Sequence, residues 1–94
     1  MSEVILENLE KQLNQHLGQT VPFHAAYDIN PALELAGIME NKGYSFQLKD
    51  LYPKSMTNTG WQAVFSKDGQ RFSAEDPASP VAVCTAAISA LTRQ

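Results

Sequence analysis

Apolar positions along the chain change their period twice, and the changes mark out six elements. Between Ser2 and Leu17, Ile5, Leu9, Leu13 and Leu17 recur every four residues with Leu6 and His16 beside them, the stripe of an amphipathic helix. Ser2 suits the N-cap, Glu3 the first turn and Gly18 the left-handed stop. A connector containing Val21-Pro22-Phe23-His24 leads to Asn30-Pro31, which predicts a cap followed by a first helical position. The second helix then presents Leu33, Leu35, Ala36 and Met39 and ends at Lys42-Gly43. From Tyr44 the period falls to two: Tyr44, Phe46 and Leu48 alternate with Ser45, Gln47 and Lys49.

Trp61, Ala63 and Phe65 alternate again, and Asp68-Gly69 is a favoured two-residue hairpin turn. That turn sets Lys67 opposite Gln70, Phe65 opposite Phe72 and Ala63 opposite Ala74, so both apolar pairs share one face. Asp76 and Ser79 can cap a third helix, in which Val81, Cys84, Ala87, Ile88 and Leu91 lie on one side and the alanines permit close packing. The order α-α-β-β-β-α describes one α+β domain over residues 1–94 with a three-stranded antiparallel meander. Its second sheet face, Ser45, Gln47, Lys49, Gln62, Val64, Ser66, Arg71 and Ser73, is nearly all polar. Three helices therefore compete for one apolar sheet face. Either they crowd one side, or one docks on a partner subunit. The first helix (2–17) is the candidate, and a homo-oligomer is the expectation.

Composition narrows the function. Ninety-four residues with a net charge of −3 lack the Lys/Arg surplus that duplex nucleic acid demands. No apolar run approaches the roughly 20 residues of a membrane span. The acidic opening Met1-Ser2-Glu3 lacks a signal-peptide pattern, so a cytoplasmic location is expected. Cys84 stands alone, which excludes an internal disulfide and a thiolate zinc cage. His16 has no good second ligand three or four residues away, and neither a metal nor another cofactor is expected. His24 and Asp28 have the spacing to orient an imidazole, yet no nucleophile stands near them in sequence, and they read as packing residues. Glu3, Glu7 and Glu10 read as a solvated helix face. No catalytic residue emerges.

The stretch from Asp50 to Gly60 is longer than an ordinary hairpin connection. Its Tyr52, Lys54, Ser55, Thr57, Asn58 and Thr59 offer an aromatic ring, an ammonium, hydroxyls and an amide, a set suited to a small polar or phosphorylated ligand. No Gly-x-x-x-x-Gly-Lys element is present, which excludes the phosphate loop of a nucleoside triphosphatase as a motif. Trp61 beside the loop reads first as a core residue and second as a stacking platform. Lys49 and Arg71, sharing the polar face, are candidates to hold an anion across the sheet.

Trp61-Gln62-Ala63-Val64-Phe65, the glycine turn at Gly69 and the run from Ser79-Pro80-Val81 through Ala86-Ala87 to Leu91 resemble the phage ABA-sandwich domain family. The opening from Ala32 to Gly43, followed by Tyr44-Ser45-Phe46, is similar as well, so the likeness covers residues 28–92. It implies an α/β/α sandwich, from which the polar second face departs, and a small phage-encoded protein acting in the host cytoplasm. The family has no general activity and no catalytic residues to carry over. With the loop, the resemblance implies a non-catalytic accessory protein that binds a small polar or nucleotide ligand, in its most concrete form a sponge sequestering a host immune nucleotide signal. The alternative is a protein-interaction module that blocks or adapts a host or phage protein.

Overall fold

The computed structural model describes residues 3–18 and 24–92, which form α1 (Glu3–Leu17), α2 (Ile29–Asn41), β1 (Ser45–Asp50), β2 (Trp61–Lys67), β3 (Gln70–Asp76) and α3 (Ser79–Thr92). The Ser2 cap, residues 19–23 of the connector and the side chains of Glu3 and Ile5 lie outside the described residues. The strands pair antiparallel in the order β1-β2-β3, so the expected α+β meander is present. Phe65 faces Phe72, Ala63 faces Ala74 and Lys67 faces Gln70, as the turn chemistry requires. Asp68 and Gly69 both take positive φ, 54° and 82°, the signature of a type I′ turn.

The start of α2 differs from the reading of Asn30 as cap. Asp28 caps the helix, with its carboxylate accepting from the Asn30 amide at 3.0 Å, and Pro31 falls in the first turn, where its missing N–H leaves no partner wanting. The C-terminus closes in a Schellman motif: Gly43 (φ 101°) donates to the Glu40 carbonyl and Tyr44 to the Met39 carbonyl. That motif turns the chain straight into β1. The buried face of α2 is Ala32, Leu35, Ala36 and Met39, whereas Leu33 stands 45% exposed. Leu33 is therefore not part of the apolar face assigned to it.

The core side of the sheet carries Phe46, Leu48, Trp61, Ala63, Phe65, Phe72 and Ala74. Phe65 is its centre, with ring centroids 5.0 Å from Phe46 and 6.3 Å from Tyr44, the latter edge-on. Across this face lies α3, which touches β2, β3, α1 and α2. Val81, Ala82, Val83, Cys84, Ala86, Ala87 and Ala90 are all buried, so α3 is apolar around most of its circumference and not along one side only. Its alanines let elements approach from three directions.

This placement resolves the crowding. α1 packs on α3, with Leu13 fully buried and Leu6, Leu9 and Leu17 partly buried against the same core. The first helix is thus not spare. Ser45, Gln47, Lys49, Arg71 and Ser73 are exposed on the other sheet face around a buried Val64, and no described helix is seen to cover it. The second helical layer of an α/β/α sandwich is therefore missing from the described residues, in keeping with a face too polar to bury one. No described helix is long and apolar enough to cross a membrane.

Glu10 departs from the solvated-face reading. It is half-buried, and its Oε2 is a buried atom with no hydrogen-bond partner among the described residues. Cys84, fully buried on α3, has its thiol pushed up to about 12, first by burial and second by the Glu10 carboxylate. Burial raises the Tyr44 phenol as well, with Asp68 adding to it. A thiol that stays protonated in the fold while the unfolded chain ionises near 9.0 contributes stability that is complete below that pH. This contribution is lost as pH rises toward the folded value. We expect urea stability to fall by about 1 kcal/mol between about pH 8 and pH 10, and Cys84→Ala to flatten that slope. Urea midpoints at the two pH values measure it; equal slopes in both proteins would contradict the assignment.

Candidate functional site

The connection from β1 to β2 is held by its own polar groups. Leu51 donates to the Gly60 carbonyl at 2.9 Å, extending the ladder by one pair beyond β1 and β2. Asp50 Oδ1 accepts from the Tyr52 amide at 3.0 Å, and Ser55 donates its amide to the Tyr52 carbonyl across Pro53-Lys54. Ser55 Oγ in turn accepts from the amides of Thr57 (3.2 Å) and Asn58 (2.9 Å). These are the local turns that Asp and Ser favour, and they fix a long loop without a core of its own.

Tyr52 leans on Gly60. A Cβ at Gly60 would sit 2.8 Å from Tyr52 Cε2, so only glycine admits the ring in this position. The ring and Leu51 form one wall of a shallow groove of about 190 Å³, with Thr59 beside them. Glu75, Asp76 and Pro77, at the end of β3, form the other wall. Sheet register explains the meeting: Trp61 pairs with both Asp50 and Asp76, and Gln62 with both Lys49 and Glu75. Glu75 Oε2 accepts from Gln62 Nε2 at 3.4 Å, and Asp76 Oδ2 from the Ala78 amide at 3.4 Å ahead of α3.

Of the residues expected to bind, Tyr52 and Thr59 line this groove. Lys54, Ser55, Thr57 and Asn58 are exposed on the loop outside it, and the Ser55 hydroxyl is already engaged. Trp61 is half-buried and packs against the core, the first of its two readings. Lys49 and Arg71 stand far apart on the polar face. Lys49 shares a row with Gln62 and Glu75, while Arg71 shares one with Ser66 and Ser45. Four residues along the sheet and two strands across place their Cα atoms about 16 Å apart.

Two features were not expected from the loop alone. Glu75 and Asp76 give the groove a negative wall, and in the same loop Met56 is fully exposed and Tyr52 half-exposed. The carboxylates were legible only by carrying the hairpin register through to the first strand.

The remaining chemistry is dispersed. His16 is exposed in the last turn of α1. His24 takes φ 63° and stacks obliquely on Tyr27 at 5.1 Å, while the Asp28 carboxylate is occupied as the α2 cap. Among the described residues no three His, Cys, Asp or Glu side chains gather to hold a metal ion. Compared with family models, curated proteins and solved structures, the chain matches none.

Proposed function

We propose that the chain is a non-catalytic binding module that engages another protein through the loop at 51–60. The observation that carries this reading is Met56, wholly exposed, together with Tyr52 at 48%, on a backbone already fastened by local hydrogen bonds. Met and Tyr are enriched in protein contacts, and a loop ordered before binding loses little entropy on binding. The carboxylates of Glu75 and Asp76 favour a basic side chain of the partner in the groove beside Tyr52. Burial of the only thiol, with its pKa pushed up to about 12, supports the non-catalytic part of the reading.

A photo-crosslinking residue at position 56, followed by mass spectrometry of the adduct, identifies the partner. Tyr52→Ala with Met56→Ala is then expected to weaken its binding by more than about tenfold. Leu33→Ala, an exposed change on α2, leaves binding unaltered. Equal binding by the double variant contradicts the proposal.

Capture of a small polar ligand is the second reading, favoured by the aromatic wall that Tyr52 forms against Gly60. The negative wall opposes a phosphate, so a neutral or cationic ligand suits the groove better than a nucleotide. Assignment to phage defence evasion rests on the family resemblance alone. Mass spectrometry of small molecules released by heating the purified protein separates the readings: a retained neutral or cationic small molecule supports capture, and an empty groove supports the module.

A further inference from the structure

We propose that the free edge of β3 pairs with the β3 edge of a second copy of this chain, making a continuous six-stranded antiparallel sheet with its two-fold axis at Ser73. Among the described residues β3 pairs only with β2. The direction of its backbone groups follows from two observations. A type I′ turn at Asp68-Gly69 closes on a hydrogen-bonded pair, Lys67 with Gln70, so Phe72, Ala74 and Asp76 also bond toward β2. The bond from the Leu51 amide to the Gly60 carbonyl belongs to the alternate set, which directs Gln62, Val64 and Ser66 toward β1 and agrees. Arg71, Ser73 and Glu75 therefore direct their amides and carbonyls away from the sheet.

This edge carries charged side chains but lacks the other usual protections. β3 has seven residues, no proline, lysine or glycine, and an unbroken register without a bulge. On its polar face two opposite charges stand symmetrically about Ser73, Arg71 two residues before and Glu75 two residues after, while Asp76 at the strand end falls opposite Gln70. An antiparallel pairing centred on Ser73 sets Arg71 of each copy opposite Glu75 of the other. Ser73 then meets Ser73, and Phe72 meets Ala74. All three outward-facing residues fall in hydrogen-bonded positions, and both Arg–Glu pairs lie on the exposed polar face. A two-fold axis normal to the sheet keeps both sets of helices on the same side, so α3 stays on its own sheet. The same operation on β1, centred on Leu48, opposes Phe46 with Asp50 and Lys49 with Gln47, which matches no charges. The charge pattern thus selects a second copy as occupant of the β3 edge. The pairing shares Glu75 with the groove beside Tyr52, whereas Arg71 lies outside that groove, so Arg71→Glu tests the edge without altering the groove lining.

Sedimentation equilibrium on the full chain, up to the millimolar range, tests it. The unaltered protein is expected to dimerise. Arg71→Glu or Glu75→Arg alone places two like-charge pairs across the edge and is expected to raise the dimer Kd about tenfold or more. The double exchange restores opposite charges and is expected to return the Kd to within about threefold. Ser73→Pro removes the central outward amide without touching the bonds to β2 and is expected to abolish the dimer, with circular dichroism confirming the monomer fold. A monomer throughout the range overturns the proposal and leaves the edge to a strand of another protein. So does a dimer indifferent to the single reversals, or a double variant no better than the singles.

Discussion

Phe65→Ala is expected to produce the largest loss of stability of any conservative truncation in this chain, about 3–5 kcal/mol. Phe65 has no solvent exposure, sits in the middle strand, faces Phe72 across the hairpin and packs against Tyr44 and Phe46. Removing the ring withdraws the common neighbour of all three strands, and α3 cannot collapse into the gap without leaving its other contacts. A chain of 94 residues commonly holds roughly 5–14 kcal/mol in total. The urea midpoint should therefore fall by about 2 M or more, and a weakly stable parent would be mostly unfolded in water. A loss below about 1 kcal/mol would mean that the sheet does not close over this residue.

Leu13→Asp ranks second, and it distinguishes two roles for α1. Leu13 is fully buried, against a core that includes Cys84 and lies close to the half-buried Glu10 carboxylate. A second carboxylate buried there must be desolvated beside an existing one, so we expect a cost of about 4 kcal/mol or more, or protonation with partial unfolding. Leu9→Asp, at a half-buried position, should cost clearly less. Were α1 a detachable docking helix, Leu13→Asp would leave the melting transition in place and abolish association only. Thermal unfolding by circular dichroism reads the difference.

The legible parts of this fold are those where two local signals agree. The hairpin was fixed because the Asp68-Gly69 turn and the Phe65/Phe72 alternation demand the same register. At the start of α2 two caps compete within three residues: Asn30-Pro31 reads well, but the Asp28 carboxylate takes the orphan amide and wins. The third helix misled in a different way. Its run has so few polar residues that a one-sided stripe can be drawn through it, although the lack of a polar side is itself the sign of a helix enclosed by neighbours. Once α3 is central, α1 has a place to pack, and the supposed surplus helix disappears.

The candidate site was half legible. Tyr52 and Thr59 are legible in the composition of the loop, and both line the groove. Their opposite wall comes from Glu75 and Asp76, distant in sequence and brought there by pairing across three strands. Composition cannot show that convergence. It likewise gave no means of judging how far apart Lys49 and Arg71 lie, which only the register supplies.

α3 lies enclosed between the helices and one sheet face while the opposite face remains open. Thiol labelling of the Gln47→Cys protein tests it in a single experiment, since position 47 is exposed on the open face and Cys84 is enclosed. One thiol should be modified at the rate of a free cysteine and the second only after denaturant unfolds the chain. Rapid labelling of both would place α3 at the periphery, and protection of both would mean that the open face is covered; either contradicts the arrangement.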